Sequence, residues 1–134
     1  MQFSLKSALN SVHKPNMSQI GGQLRTSTGG IQGLGKVDKI YLDNPTLNYT
    51  LAGKSVEIGT VRETFFFNQT RSFMPVTVSP ISDFLIDGKY TFEVGGKKKK
   101  QNQLQNIENG YVVKDDIETG YGNIIPLWMF GMLY

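Results

Sequence analysis

The stretch Ser82-Asp83-Phe84-Leu85-Ile86-Asp87-Gly88-Lys89-Tyr90-Thr91-Phe92-Glu93-Val94-Gly95-Gly96-Lys97 constrains this chain more than any other part of it. An Asp-Gly pair between two runs rich in aromatic and aliphatic residues is a strong hairpin signal, and the register decides what the hairpin carries. A two-residue loop at Asp87-Gly88 sets Asp83 opposite Phe92 and Ser82 opposite Glu93, so both faces mix polar with apolar residues. A three-residue loop, Ile86-Asp87-Gly88 with Gly88 left-handed, sets Phe84 opposite Tyr90 and sorts the faces cleanly. Phe84, Tyr90, Phe92 and Val94 then share one side; Asp83, Thr91, Glu93 and, past Gly95, Lys97 share the other. Burial favours the second register, because a one-residue slip turns the aromatic set toward water. Asp83 and Glu93 become diagonal neighbours roughly 5 to 8 Å apart at Cβ, a spacing at which two carboxylates hold a divalent metal.

With 134 residues, of which 39% are hydrophobic and 19% charged, the chain suits one core in an ordinary folded domain despite its 15 glycines. The absence of cysteine excludes disulfides and thiolate zinc sites and fits a reducing compartment, so the cytoplasm is the expected location. No secretory signal stands at the amino end. The apolar run Ile124–Tyr134 is far shorter than the ~20 residues that span a bilayer, and no membrane partner is expected. A net charge of +3 is mild, but Lys97, Lys98, Lys99 and Lys100 concentrate positive charge just after the hairpin. Such a run is either a solvated loop or a phosphate-facing patch.

Periodicity predicts an amphipathic helix over Phe3–Val12 and a second short one over Met17–Leu24, then a glycine- and serine-rich loop to Gly35. This places a boundary between an N-terminal arm, 1–35, and a main body, 36–134. In the body the expected order is a strand at Lys39–Leu42, a helix from Asn44-Pro45 to Ala52, a longer helix over Glu57–Arg71, a strand at Val76–Val78, the hairpin, a strand at Tyr111–Lys114, and a closing helix over Asn123–Tyr134. The fold class is α/β, a sandwich around a central mixed sheet.

Gly30-Ile31-Gln32-Gly33-Leu34-Gly35-Lys36 nearly matches a phosphate-binding loop, but Val37 stands where a magnesium-binding hydroxyl is needed and a strand pattern follows, so ATP is not expected. His13, the one histidine, has no nucleophile paired with it in sequence. Glu63 shares a helix face with Phe66 and Phe67; it either pairs with Arg62 or Arg71 or faces Asp83 and Glu93 across the helix–sheet interface. Three such carboxylates suit Mg²⁺ or Mn²⁺, with a nearby lysine to orient or activate water for phosphodiester attack. An amphipathic hairpin with a polar outer face also explains Asp83, Thr91 and Glu93, and is the simpler reading of the spacing alone.

Lys39-Ile40-Tyr41-Leu42-Asp43-Asn44-Pro45, Val61-Arg62-Glu63-Thr64-Phe65-Phe66-Phe67-Asn68-Gln69, Asp83-Phe84-Leu85-Ile86-Asp87-Gly88-Lys89-Tyr90, Phe92-Glu93-Val94-Gly95-Gly96-Lys97 and Ile125-Pro126-Leu127-Trp128 together resemble the C-terminal domain of bacterial AAA-type ATP-binding proteins, as found in Bacteroides-like bacteria. That domain is similar to the PD-(D/E)XK (restriction-endonuclease-like) nuclease fold. The resemblance implies Glu63 as the helix acid, and Asp83 and Glu93 as the strand acids and metal ligands. The family's lysine position, two after Glu93, is Gly95, which implies an incomplete catalytic set with Lys97 as the replacement. Lys14-Pro15-Asn16-Met17-Ser18-Gln19-Ile20 resembles the opening of the helix-turn-helix in such proteins, without its recognition helix. The implied function is an accessory or binding module contacting a nucleic-acid backbone through Arg71 and Lys97–Lys100, or a protein partner or second copy. The alternative is a Mg²⁺- or Mn²⁺-dependent nuclease.

Overall fold

A computed structural model of the chain describes residues 21–24, 39–102 and 104–133. The expected helix at Phe3–Val12, His13, the loop from Thr26 and the near phosphate-binding loop all lie outside these residues. Elements run in the order β1 (Gly21–Leu24), β2 (Lys39–Leu42), α1 (Pro45–Ala52), a 3₁₀ turn (Gly53–Ser55), α2 (Ile58–Thr70), β3 (Val76–Val78), β4 (Phe84–Ile86), β5 (Tyr90–Gly95), β6 (Gly110–Lys114), β7 (Ile124–Pro126) and a 3₁₀ helix (Leu127–Met132).

Local chemistry explains the helix limits. The Asn44 side chain accepts the Thr46 N–H at 2.8 Å and Pro45 opens the first turn, a preorganised start for α1. Gly53 stops it, in a left-handed conformation at φ 56° that most side chains avoid. In α2 the buried positions are Thr64, Phe66, Phe67 and Thr70, and the helix lies across β5 and β2.

The main sheet has the order β3-β4-β5-β6-β7, antiparallel from β3 to β5 and parallel from β5 to β7. This mixed five-stranded sheet packed with helices is an α/β fold. One core lies between the sheet and α2: Phe66, wholly buried, places its ring 5.1 Å from that of Phe84, 5.3 Å from Phe92 and 4.7 Å from Phe130. A second, smaller core of Leu104, Val112 and Ile124 draws on β6, β7 and the connection after β5. Alternation along β5 sends Val94 to the first core and aligns Glu93 with Val112.

Three expectations are corrected. Gly21–Leu24 is not helical but pairs antiparallel with β2, so the arm contributes a strand beside the body; Gly21-Gly22 is poor helix material, and pairing supplies its backbone partners. The closing segment is a strand followed by a 3₁₀ helix, because Ile124-Ile125 extends along β6 and Pro126 falls at the end of an edge strand where no N–H is missed. The hairpin register pairs Phe84 with Phe92 and Ile86 with Tyr90. The loop is therefore Asp87-Gly88-Lys89, with Asp87 and Gly88 both at positive φ. Ile86 is 3% exposed and belongs to the core, which keeps it out of the turn. Face parity is the same in both three-residue registers, so the aromatic side stays as expected.

Candidate functional site

Beyond Phe84 the strands β4 and β5 part, and side chains take over from the backbone ladder. Ser82 Oγ donates to the Phe92 carbonyl at 3.1 Å, and Asp83 Oδ2 accepts the Val94 N–H at 2.8 Å. Asp83 thus stands level with Glu93 at the end of the pair. They do not lie beneath α2, whose aromatic residues cover the opposite side of β5; Glu63 reaches the sheet end through β2 instead.

Around this opening three carboxylates meet two ammonium groups. Glu63 Oε2 accepts the Tyr41 hydroxyl at 2.7 Å and lies 3.3 Å from Lys39 Nζ. The same Nζ is 3.7 Å from Asp83 Oδ1, so Lys39 bridges the helix acid and the first strand acid. Glu93, 4% exposed, is met at Oε1 by Lys99 Nζ at 2.9 Å, while its Oε2 is buried with no hydrogen-bond partner. Burial pulls the Lys99 ammonium down, but the hydrogen bond to Glu93 and the fields of Glu93, Asp83 and Glu63 outweigh it and hold Lys99 above the ordinary lysine range. The same three fields act on one ammonium, so the acids share one electrostatic environment. Tyr41 is pushed far above the ordinary phenol range, first by burial and then by its bond to Glu63, and stays a neutral donor.

The lysine at Glu93 is Lys99, four residues past Gly95, and not Lys97. After β5 the chain turns, closed by the Lys99 N–H on the Gly96 carbonyl at 2.9 Å, and the Lys99 stem folds back over Gly95. A Cβ on Gly95 would stand 2.8 Å from two methylenes of that stem, and one on Gly96 would stand 3.1 Å from the Arg62 guanidinium. The Gly-Gly pair is clearance for two cationic side chains. Arg62 is itself held by Asp115 at 2.8 Å and Asp116 at 3.2 Å.

Lys97, Lys98 and Lys100 are exposed. Arg71 is committed to Asp43 at 2.6 Å and lies over the Phe67 ring at 5.2 Å. Sequence reasoning missed Lys39 and Tyr41 as the partners of Glu63, which pairs with neither Arg62 nor Arg71. Alternation in Lys39-Ile40-Tyr41-Leu42 puts Lys39 and Tyr41 on one strand face, which was the available signal; their convergence on Glu63 needs the packing of β2 on α2.

The donor set fits a hard cation in part. Glu93 Oε2 is an orphaned carboxylate oxygen, and three acids outnumber the two lysines. Among the described residues, however, no three such groups are already arranged to hold a metal ion. Two carboxylates with water and substrate oxygens is the usual Mg²⁺ set. An apolar cavity of about 630 Å³ opens at the turn end of the hairpin, between Phe73, Met74, Tyr90, Phe92, Phe130 and Met132, but no carboxylate lines it. No helix among the described residues is long and apolar enough to cross a membrane. No family model, curated protein or solved structure matches this chain.

Proposed function

We propose that this chain is a nuclease-fold module of a AAA-type ATP-binding protein, with a Mg²⁺- or Mn²⁺-dependent phosphodiesterase site at Asp83, Glu93 and Lys99. One observation carries this reading: a lysine occupies the space above Gly95 and reaches Glu93, supplying the group that the sequence lacks at that position. The order α2, three antiparallel strands, then a parallel fourth supports it.

Asp83 and Glu93 would hold the metal through carboxylate oxygens, and the bound ion would supply Lewis-acid polarisation of a phosphoryl oxygen. Lys99 keeps its proton and would offer its positive charge at Nζ to the negative charge that grows during attack. Without metal, Glu63, fixed by Tyr41, is joined to Asp83 through Lys39. Exposed Lys97, Lys98 and Lys100 are neighbours of Lys99 in sequence and suit a phosphate backbone.

The second reading is a binding module without cleavage, and the Lys39 bridge favours it, because an internal ammonium already compensates Glu63 and Asp83. Incubating DNA and RNA with Mg²⁺ or Mn²⁺ beside a Glu93→Ala control decides between them. Cleavage lost in the variant supports the enzyme; salt-sensitive binding with no cleavage by either protein supports the binding module.

A further inference from the structure

Lys39 bridges two members of the carboxylate cluster. Its ammonium lies 3.3 Å and 3.7 Å from two acids and 5.9 Å from the Phe84 ring centroid, at the place where β4 and β5 part. It is contributed by neither the helix nor the hairpin that carry the acids but by the first residue of β2, paired with Leu24 of β1. The side chain is 37% exposed, so its flexible stem can carry the charge out to water without unpacking any core residue. Glu93 Oε2, by contrast, is buried and unpartnered, a second sign that the cluster is built for a cation besides its lysines. Asp83 belongs to both arrangements: its Oδ1 meets Lys39, and its carboxylate is level with Glu93.

We infer that Lys39 is a resident counter-ion that competes with divalent metal for Asp83, so that loading the site requires the Lys39 ammonium to leave the Glu63–Asp83 bridge. This rests on the reading of Asp83 and Glu93 as metal ligands. In the metal-free protein the lysine compensates Glu63 and Asp83. When a divalent cation approaches, the two positive charges repel across the shared carboxylate, which weakens the metal's affinity. The β2 lysine thereby sets the cation concentration at which the site fills.

The test is Mn²⁺ binding to the full chain, monitored through the electron paramagnetic resonance signal of the free ion, for wild type and the Lys39→Met, Lys39→Gln, Lys39→Arg and Glu93→Gln variants. Removing the charge tightens Mn²⁺ binding roughly tenfold, the low end of what an adjacent cation takes from a carboxylate's affinity for a proton. Lys39→Arg, which keeps the charge, binds as wild type does, and Glu93→Gln loses binding. Thermal melts provide a second readout: Lys39→Met is less stable than wild type without metal and gains more from added Mn²⁺. If the Lys39→Met protein does not fold, Lys39→Gln carries the comparison. Equal affinity in wild type and the neutral variants, with binding lost in Glu93→Gln, leaves the metal site standing and overturns the role of Lys39. Tighter binding by Lys39→Arg overturns it as well. Absence of Mn²⁺ binding in every variant sinks the metal site and this inference with it.

Discussion

Lys99 Nζ lies 2.9 Å from Glu93 Oε1, and its stem passes 2.8 Å from the point where a Cβ on Gly95 would stand. One lysine therefore compensates the charge of a buried acid and depends on the absence of a side chain four residues earlier. If the proposed phosphodiesterase activity holds, Gly95→Ala should displace the stem and lower it, and Lys99→Ala should lower it about 10²- to 10³-fold, the range for removing one electrostatic stabiliser of developing charge. Combining Gly95→Lys with Lys99→Ala returns an ammonium to the same space and should recover part of the loss. Single-turnover cleavage assays on the three proteins check this; no recovery would remove Lys99 from the chemistry.

Lys99→Ala also leaves the Glu93 carboxylate buried without its cation. The expected loss is on the order of 1–3 kcal/mol, the cost of stranding a buried polar group, read from urea unfolding in metal-free buffer. Lys99→Arg should lose less.

Alkaline pH should destabilise the metal-free protein through two groups. Lys99 and Tyr41 both have folded-state pKa values above their unfolded ones. Each contribution is complete below the unfolded pKa, about 10 for both residue types, and is lost as pH rises from there toward the folded value. Thermal melts between neutral pH and pH ~11 should show stability falling above about 10, with Tyr41→Phe removing part of the slope. A flat profile would refute the coupling.

Phe66 is wholly buried between α2 and the rings of Phe84, Phe92 and Phe130. Phe66→Ala should cost roughly 3–5 kcal/mol and loosen the helix that carries Glu63. Chemical denaturation measures the first effect, and faster hydrogen exchange of the α2 amides measures the second.

Lys97, Lys98 and Lys100 are exposed, whereas Arg71 is tied to Asp43. If the three lysines meet phosphates, replacing them with alanine should flatten the slope of log affinity against log salt by roughly 0.7–0.9 for each phosphate no longer neutralised. Arg71→Ala should leave that slope unchanged. Fluorescence anisotropy with single- and double-stranded DNA across a salt series separates the two outcomes.

Much of the framework was legible locally. The Asn44 cap with Pro45, the span of α2 and the aromatic side of the hairpin follow from capping chemistry and from the periods of helix and strand. These depend on neighbours within a turn or across a tight loop, which is the range over which a sequence pattern speaks. The conflict between polar and apolar faces excludes an odd slip of the hairpin, but not an even one. Burial of Ile86 made the final choice, and that burial needs α2 and β3 in place.

By itself the sequence determined an α/β chain with Glu63, Asp83 and Glu93 on a long helix and a hairpin. Only the tertiary structure decided that Lys99, not Lys97, turns back over Gly95, that β1 pairs with β2, and that Lys39 and Tyr41 join Glu63. The reason is physical. Periodicity assigns a side chain to a face, whereas the direction of a turn after a strand and the meeting of elements distant along the chain are set by packing and charge compensation in three dimensions.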